Sequence, residues 1–234
     1  MRIPKKAAKR RTPSPMSKYD LVLYDLDGTL QDSVPLIMES MKASYDIVLG
    51  GTDRTDEDMM SFIGKPLTDT FWMHDEETKA KLIEAYLDYN CTRMKQNVVP
   101  IFPGVYDFLA KIRSLGVKQG IVTSKLESSA MITIDLLGLG QYFDDMVFRE
   151  ATERAKPFGD PLIEAAKRLG ISDMSRVLYV GDALPDLLSA RDAGCGFALV
   201  GWTKMPMEEL ISQKPDYLVD VPKRLPCIIK GTEL

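Results

Sequence analysis

Histidine is almost missing from this sequence: His74 is the only one in 234 residues. A histidine-rich metal centre is thereby excluded, as is any mechanism that passes protons between two imidazoles. Cysteine is scarce too. Cys91, Cys195 and Cys227 stand far apart without a Cys-x-x-Cys pair, so neither a disulfide scaffold nor a zinc ribbon fits. None has a base beside it in sequence, and all three read as structural. No apolar run approaches the roughly 20 residues that a membrane-spanning helix needs. Acidic residues are missing from positions 1–18, which hold seven of the 30 Lys and Arg. The rest of the chain carries 23 basic against 34 acidic residues, a net charge of −11, which argues against a nucleic-acid surface. The basic head has three prolines and no apolar core of a signal peptide, so it reads as a disordered extension. A basic anchoring arm or a targeting segment are its alternatives, and Met16 is an alternative start.

What is present is ordinary globular composition, 45% hydrophobic and 27% charged, at a length that suits one large domain or a domain with an insert. Residues 19–24 form a short apolar run that reads as a buried parallel strand. A long helical stretch follows, from about residue 34 to 97, broken at Gly50-Gly51 and Gly64-Lys65-Pro66. From Pro103-Gly104 onward the pattern alternates. Strands are expected at 117–122, 146–148, 177–180, 197–200 and 217–219. Amphipathic helices are expected before and between them, at about 105–112, 126–137, 158–169, 183–193 and 206–212. That alternation predicts an α/β fold, a doubly wound, mostly parallel Rossmann-like sheet into which a helical bundle is inserted. The expected boundaries are 1–18 for the extension, 19–33 with 98–234 for the sheet domain, and 34–97 for the helical insert.

In such sheets ligands bind beyond the carboxyl ends of the strands. Asp25-Leu26-Asp27-Gly28-Thr29-Leu30 ends the first strand, Thr123-Ser124-Lys125 the second, and Gly181-Asp182-Ala183-Leu184-Pro185-Asp186 follows 177–180. Lys156-Pro157 precedes the intervening helix. Taken singly, each has a plain structural reading. The Asp-x-Asp would be a turn or helix cap, the Thr-Ser an N-cap, the second acid pair a helix N-terminus, and Lys156 a solvated lysine. Their order and shared edge lift the set above those readings.

With these motifs in this order, the sequence resembles the haloacid dehalogenase-like hydrolases over residues 19–221. The insert is similar to the helical cap of the phosphoglycolate-phosphatase-like branch, as are Asp32-Ser33, Ile63-Gly64-Lys65-Pro66-Leu67 and Phe102-Pro103-Gly104-Val105. The resemblance implies Asp25 as a nucleophile that forms an aspartyl-phosphate. Asp27 would be the acid and base, and would meet the metal through its carbonyl. It also implies Mg²⁺ held by Asp25, Asp27 and Asp182, with Asp186 acting through a bound water. Thr123 and Lys156 would complete the catalytic set. Leu26, Gly28, Thr123 and Ser124 would bind phosphate, and Lys65 would face a carboxylate or second phosphate unless it is simply a solvated loop lysine. Elementary electrostatics agrees. A carboxylate approaching a phosphate at 4 Å meets about 4 kcal/mol of repulsion at an effective dielectric near 20, so a cation is needed. An all-oxygen donor set selects Mg²⁺ over softer metals.

Asp27, two residues after Asp25, favours phosphoryl transfer over dehalogenation within that family. No motif points to the Schiff-base lysine of phosphonoacetaldehyde hydrolases. The expected activity is therefore a cytoplasmic, Mg²⁺-dependent phosphatase, monomeric or homodimeric, acting on a small phosphorylated metabolite, with phosphoglycolate favoured. Pyrophosphate or a nucleoside monophosphate come next, then a β-phosphoglucomutase-like transfer. A phospho-accepting receiver has no use for Asp27 or for the insert, and a non-catalytic regulator would be expected to have lost one of the four acids. Two departures from the branch stand out: Gln31 replaces an apolar residue, and Gly159 stands where proline is common. Phe62, Phe71 and Trp72 are expected in the core of the insert, with His74 at its surface.

Overall fold

The computed structural model describes residues 17–96 and 99–232. Six strands form one sheet: β1 Leu21–Tyr24, β2 Lys118–Val122, β3 Asp145–Val147, β4 Val177–Gly181, β5 Gly196–Val200 and β6 Tyr217–Val219. Every pairing is parallel, in the spatial order β3-β2-β1-β4-β5-β6. The chain builds outward from β1 to β3, then crosses back to lay β4 against the other side of β1. The order therefore reverses between β1 and β4, and the crevice of a doubly wound sheet opens at their carboxyl ends.

The period-two alternation of β1 decides the layers. Val22 and Tyr24 face α5 Val105–Ser114, α6 Glu127–Leu136 and α10 Leu225–Lys230, joined there by Phe108, Ile112, Ile134 and Ile229. Leu21 and Leu23 face α7 Asp160–Arg168, α8 Leu184–Ala193 and α9 Met207–Ser212 through Leu162, Leu187 and Leu210. Both faces of β1 are wholly buried, which accounts for its unbroken apolar run.

The block between β1 and β2 contains α1 Val34–Leu49, α2 Asp56–Met60, α3 Leu67–Thr70 and α4 Glu76–Lys95. Its apolar cluster is its own, built from Ile37, Met41, Tyr45, Met59, Phe71 and Leu82 among others. Local signals set the ends. Thr55 and Asp58 form a reciprocal capping box for α2, Asp75 accepts from the Thr78 N–H at the start of α4, and Gly50 closes α1 in the left-handed region. Ser33 precedes α1 but does not cap it, because its hydroxyl is engaged elsewhere.

Several expectations need correction. Disorder was expected through residue 18, but Ser17 and Lys18 pack on α10, where the Lys18 N–H and the Ser17 hydroxyl donate to the Ile229 carbonyl. Residues 1–16 lie outside the described residues. The helix α10 itself carried no sequence signal. Its Pro226 stands in the first turn, where no N–H is needed. Trp72 is 64% exposed, in the loop after α3, whereas Phe71 is fully buried and Phe62 packs partly buried against the same cluster.

Candidate active site

The carboxyl end of β1 carries Asp25, and its backbone N–H still donates to Val180 of β4. The carboxylate is therefore held at the switch point by sheet hydrogen bonding. Lys156, arriving from the segment before α7, donates to Asp25 Oδ1 at 2.8 Å and to Asp186 Oδ1 at 2.7 Å. All three are buried. The Tyr179 hydroxyl lies 3.0 Å from Asp186 and 3.1 Å from Lys156 Nζ. Asp186 sits in the first turn of α8, and its second oxygen accepts the N–H groups of Asp182 and Ala183. It thus braces Lys156 with one oxygen and the β4 loop with the other.

Asp182 receives Thr29 Oγ1 on one oxygen and Thr203 Oγ1 on the other. Gly28 approaches it so closely that a Cβ there would stand 2.2 Å from Asp182 Oδ2, and its φ of 76° also disfavours a side chain. The Gly28 N–H donates to the Gln31 carbonyl, so glycine's part here is the turn and the close approach. Leu26 beside it is fully buried.

Asp27 lies apart from this group and is gripped by three donors. Lys125 Nζ is 3.0 Å from both its oxygens, and Ser33 Oγ (2.6 Å) and Gln31 Nε2 (2.9 Å) donate to Oδ1. Burial works against its charge, yet Lys125, Ser33 and Gln31 together hold its carboxyl below the usual range. Lys125 and Gln31 were legible as motif neighbours but not as partners of Asp27. Nothing in the sequence pointed to Tyr179 or Thr203.

Asp25, Asp27, Thr123, Ser124, Lys125, Lys156 and Lys65 all line one cleft between the sheet edge and the helical block. Thr123 Oγ1 accepts from the Lys125 N–H, which leaves its own proton free to donate. The Ser124 hydroxyl instead donates to the Gly64 carbonyl at 2.9 Å and ties the 62–67 loop down onto the sheet edge. Gly64, at φ 84°, lets that loop seat against Ala183 and Pro185. Lys65 is exposed, with its ammonium 5.2 Å from the Phe62 ring centroid.

One carboxylate oxygen from each of Asp25, Asp182 and Asp186 falls within 4.8 Å of the others, a cluster that could hold a metal ion. With every group ionised, the four aspartates pair among the described residues with Lys125 and Lys156 alone, an excess of two negative charges. A hard divalent cation matches both that deficit and the all-oxygen donors, so the residues fit Mg²⁺. Without such a cation the strain shows in proton affinity. Burial first, then the charge of Asp186, pushes Asp182 well up. Burial, with Asp186 and Asp27, lifts Asp25 to about 7 against the pull of Lys156. Lys156 moves the other way: burial would strip its proton, but Asp186 and Asp25 more than offset that and raise it.

These shifts have a sign. The folded protein binds protons at Asp25 and Asp182 that the unfolded chain has released, so this contribution to stability is lost as pH climbs from about 4 to about 7. Asp27, shifted down, contributes fully throughout that window and loses its contribution only at lower pH. Chelated protein is therefore expected to melt at a lower temperature near pH 8 than near pH 5, with Mg²⁺ restoring most of the difference. Melting curves that coincide at both pH values would contradict this.

The family model of the haloacid dehalogenase-like hydrolases matches residues 22–200. Curated relatives include the pyrophosphatase PpaX of Bacillus velezensis, 33% identical over 199 residues, which are 85% of this chain and 91% of that protein. The pyrophosphatase PpaX of Anoxybacillus flavithermus is likewise 33% identical, over 85% of this chain and 91% of its own length. Among solved structures, a hydrolase from Pseudomonas syringae superposes with a TM-score of 0.80 at 22% identity, covering 92% of this chain and all of that one, a likeness of fold.

Proposed function

We propose that this chain, a member of the haloacid dehalogenase-like hydrolase family, is a phosphatase that hydrolyses a small phosphorylated metabolite through Asp25, with Mg²⁺ as its metal. The observation that carries the reading is the buried Asp25–Lys156–Asp186 chain beside a second, separately held carboxylate, Asp27.

Asp25 would attack phosphorus and form an aspartyl-phosphate as the bond to the leaving oxygen breaks. Lys156 keeps Asp25 charged and aimed, and the free Thr123 proton meets a phosphoryl oxygen. Mg²⁺, held by Asp25, Asp182, Asp186 and the Asp27 carbonyl, would supply positive charge for the transferring group. Asp27 is held in its ionised form here, which is the form that takes a proton from water. Water then attacks the aspartyl-phosphate, releasing phosphate and regenerating Asp25. When Asp27 instead gives a proton to a departing oxygen, Lys125 is the group whose grip must loosen. On this reading residues 19–33 and 98–234 form the catalytic core and 34–97 a cap. The Ser124–Gly64 hydrogen bond would fasten cap to core.

Motif resemblance favours phosphoglycolate, whereas the relatives' names favour pyrophosphate. Lys65 and Arg149 line the cleft without a carboxylate partner among the described residues, and would meet the second anionic group of either. Phosphate release from pyrophosphate, phosphoglycolate and nucleoside monophosphates, with and without Mg²⁺, tests the proposal. Turnover is expected only with the metal. Silence across the panel, or equal rates in chelator, would overturn it.

No helix among the described residues is long and apolar enough to cross a membrane.

A further inference from the structure

The wall of the cleft opposite the acids has a different chemistry. Helix α4 brings Ile83, Tyr86, Leu87 and Asn90 to the cleft, the i, i+3, i+4, i+7 positions of one helical face. Ile37 and Met41 of α1 continue this surface. Of the cleft-lining cations, Lys65, Lys125 and Lys156 come from loops and Arg149 from a short 3-10 turn at 149–151, and none from α1 or α4. A second phosphoryl group or a carboxylate placed against this face would lose its water to side chains that carry no charge of their own.

Two polar atoms interrupt the apolar face. Asn90 is 1% exposed, and its Nδ2 donates to Ser40 Oγ at 2.9 Å, which fixes the orientation of its amide. Its Oδ1 is buried with no hydrogen-bond partner among the described residues. A buried acceptor left in that state is a place for a ligand's donor. Tyr86, one turn away, lines the same cleft as Asp27, the residue that would protonate a leaving oxygen.

We propose that the α1/α4 face is the leaving-group subsite. It takes an organic phosphomonoester whose leaving group has an apolar side and a hydrogen-bond donor for Asn90, in preference to pyrophosphate. The inference rests on the phosphatase reading above and names its substrate class.

Straight-chain alkyl phosphates from ethyl to pentyl test it, because their leaving alcohols differ little in acidity and the series reports contact. On wild-type enzyme with Mg²⁺, kcat/KM is expected to rise about fourfold per methylene, the fold-change that burying one CH₂ supplies. The Kd of the matching alkylphosphonates, measured by calorimetry, should fall in step. Leu87→Asn should flatten both trends. A terminal hydroxyl on the longer esters should raise kcat/KM, and Asn90→Leu should remove that gain. Flat series in both measurements, with phosphate still released, would overturn the subsite and leave the phosphatase standing. So would pyrophosphate turnover more efficient than that of every ester. If no ester released phosphate while phosphonate affinity still followed chain length, the subsite would stand and the catalytic reading would fall.

Discussion

Asp25→Asn should lose at least about 10³-fold in phosphate release while its folded state becomes no less stable. An amide of the same shape cannot attack phosphorus, so chemistry stops at the first step. The stability half follows from the surroundings. Asp25 is one of four acids facing two lysines, and its own affinity for a proton is raised to about 7 mainly by burial. Removing one negative charge from an excess relieves repulsion, and Lys156 keeps Asp186 as its partner at 2.7 Å. Chelated Asp25→Asn is therefore expected to melt at or above the wild-type temperature near pH 8. Activity above about a tenth of wild type would remove Asp25 from the nucleophile's place. A melting temperature several degrees lower would show that the acid cluster is not under the strain described.

Lys156→Met should fail in both respects. The lysine side chain is 1% exposed and is the cation that joins Asp25 to Asp186. Methionine fills similar space but leaves the two carboxylates buried and uncompensated. Breaking a buried pair in this way costs about 3–5 kcal/mol. Turnover should fall by about 10²-fold or more through the lost positive charge. The stability defect has its own signature. It should shrink near pH 5, where a proton on Asp25 does part of the lysine's work, and shrink again with Mg²⁺ near pH 8. Thermal melts across pH, with and without metal, would read this directly. A variant as stable as wild type at every pH would mean that Lys156 does not balance the cluster. Lys156→Arg is not expected to rescue it, since a planar guanidinium does not reproduce the contacts that one ammonium makes with Asp25, Asp186 and Tyr179.

These two predictions rest on side chains whose importance was legible long before their contacts were. Strand ends were readable because an apolar run stopped at an acid: the 19–24 run ends at Asp25, and 177–180 ends at Gly181-Asp182. Helix spacing placed α5 to α8 within a few residues of where they stand. The C-terminal helix was not readable, because it is six residues long with a proline in its first turn, and neither was the docking of Ser17 and Lys18, which depends on that helix. Trp72 was misplaced for a related reason. Aromatic character alone does not say which of two adjacent rings points inward, and here Phe71 does.

Within the site the division is sharper. The order of the motifs determined which acids, which lysine and which threonine meet at one sheet edge, because a parallel sheet delivers every strand's end to the same side. It also determined the charge problem, since four acids converging on one edge demand a cation wherever they meet. Pairing within that edge was decided by tertiary structure alone. Lys125 holds Asp27 across 98 positions of chain, Lys156 spans Asp25 and Asp186 across 131 and 30, and Ser124 reaches Gly64 across 60. The character of the far wall was hidden too, because a helical stripe such as Ile83, Tyr86, Leu87 and Asn90 looks the same in sequence whether it faces a core or a cleft. Hydrogen bonds and contacts are settled within tenths of an ångström, and that precision arises only when separate elements pack. A local pattern can place a residue on an edge or a face, but it contains no distance to a residue a hundred positions away.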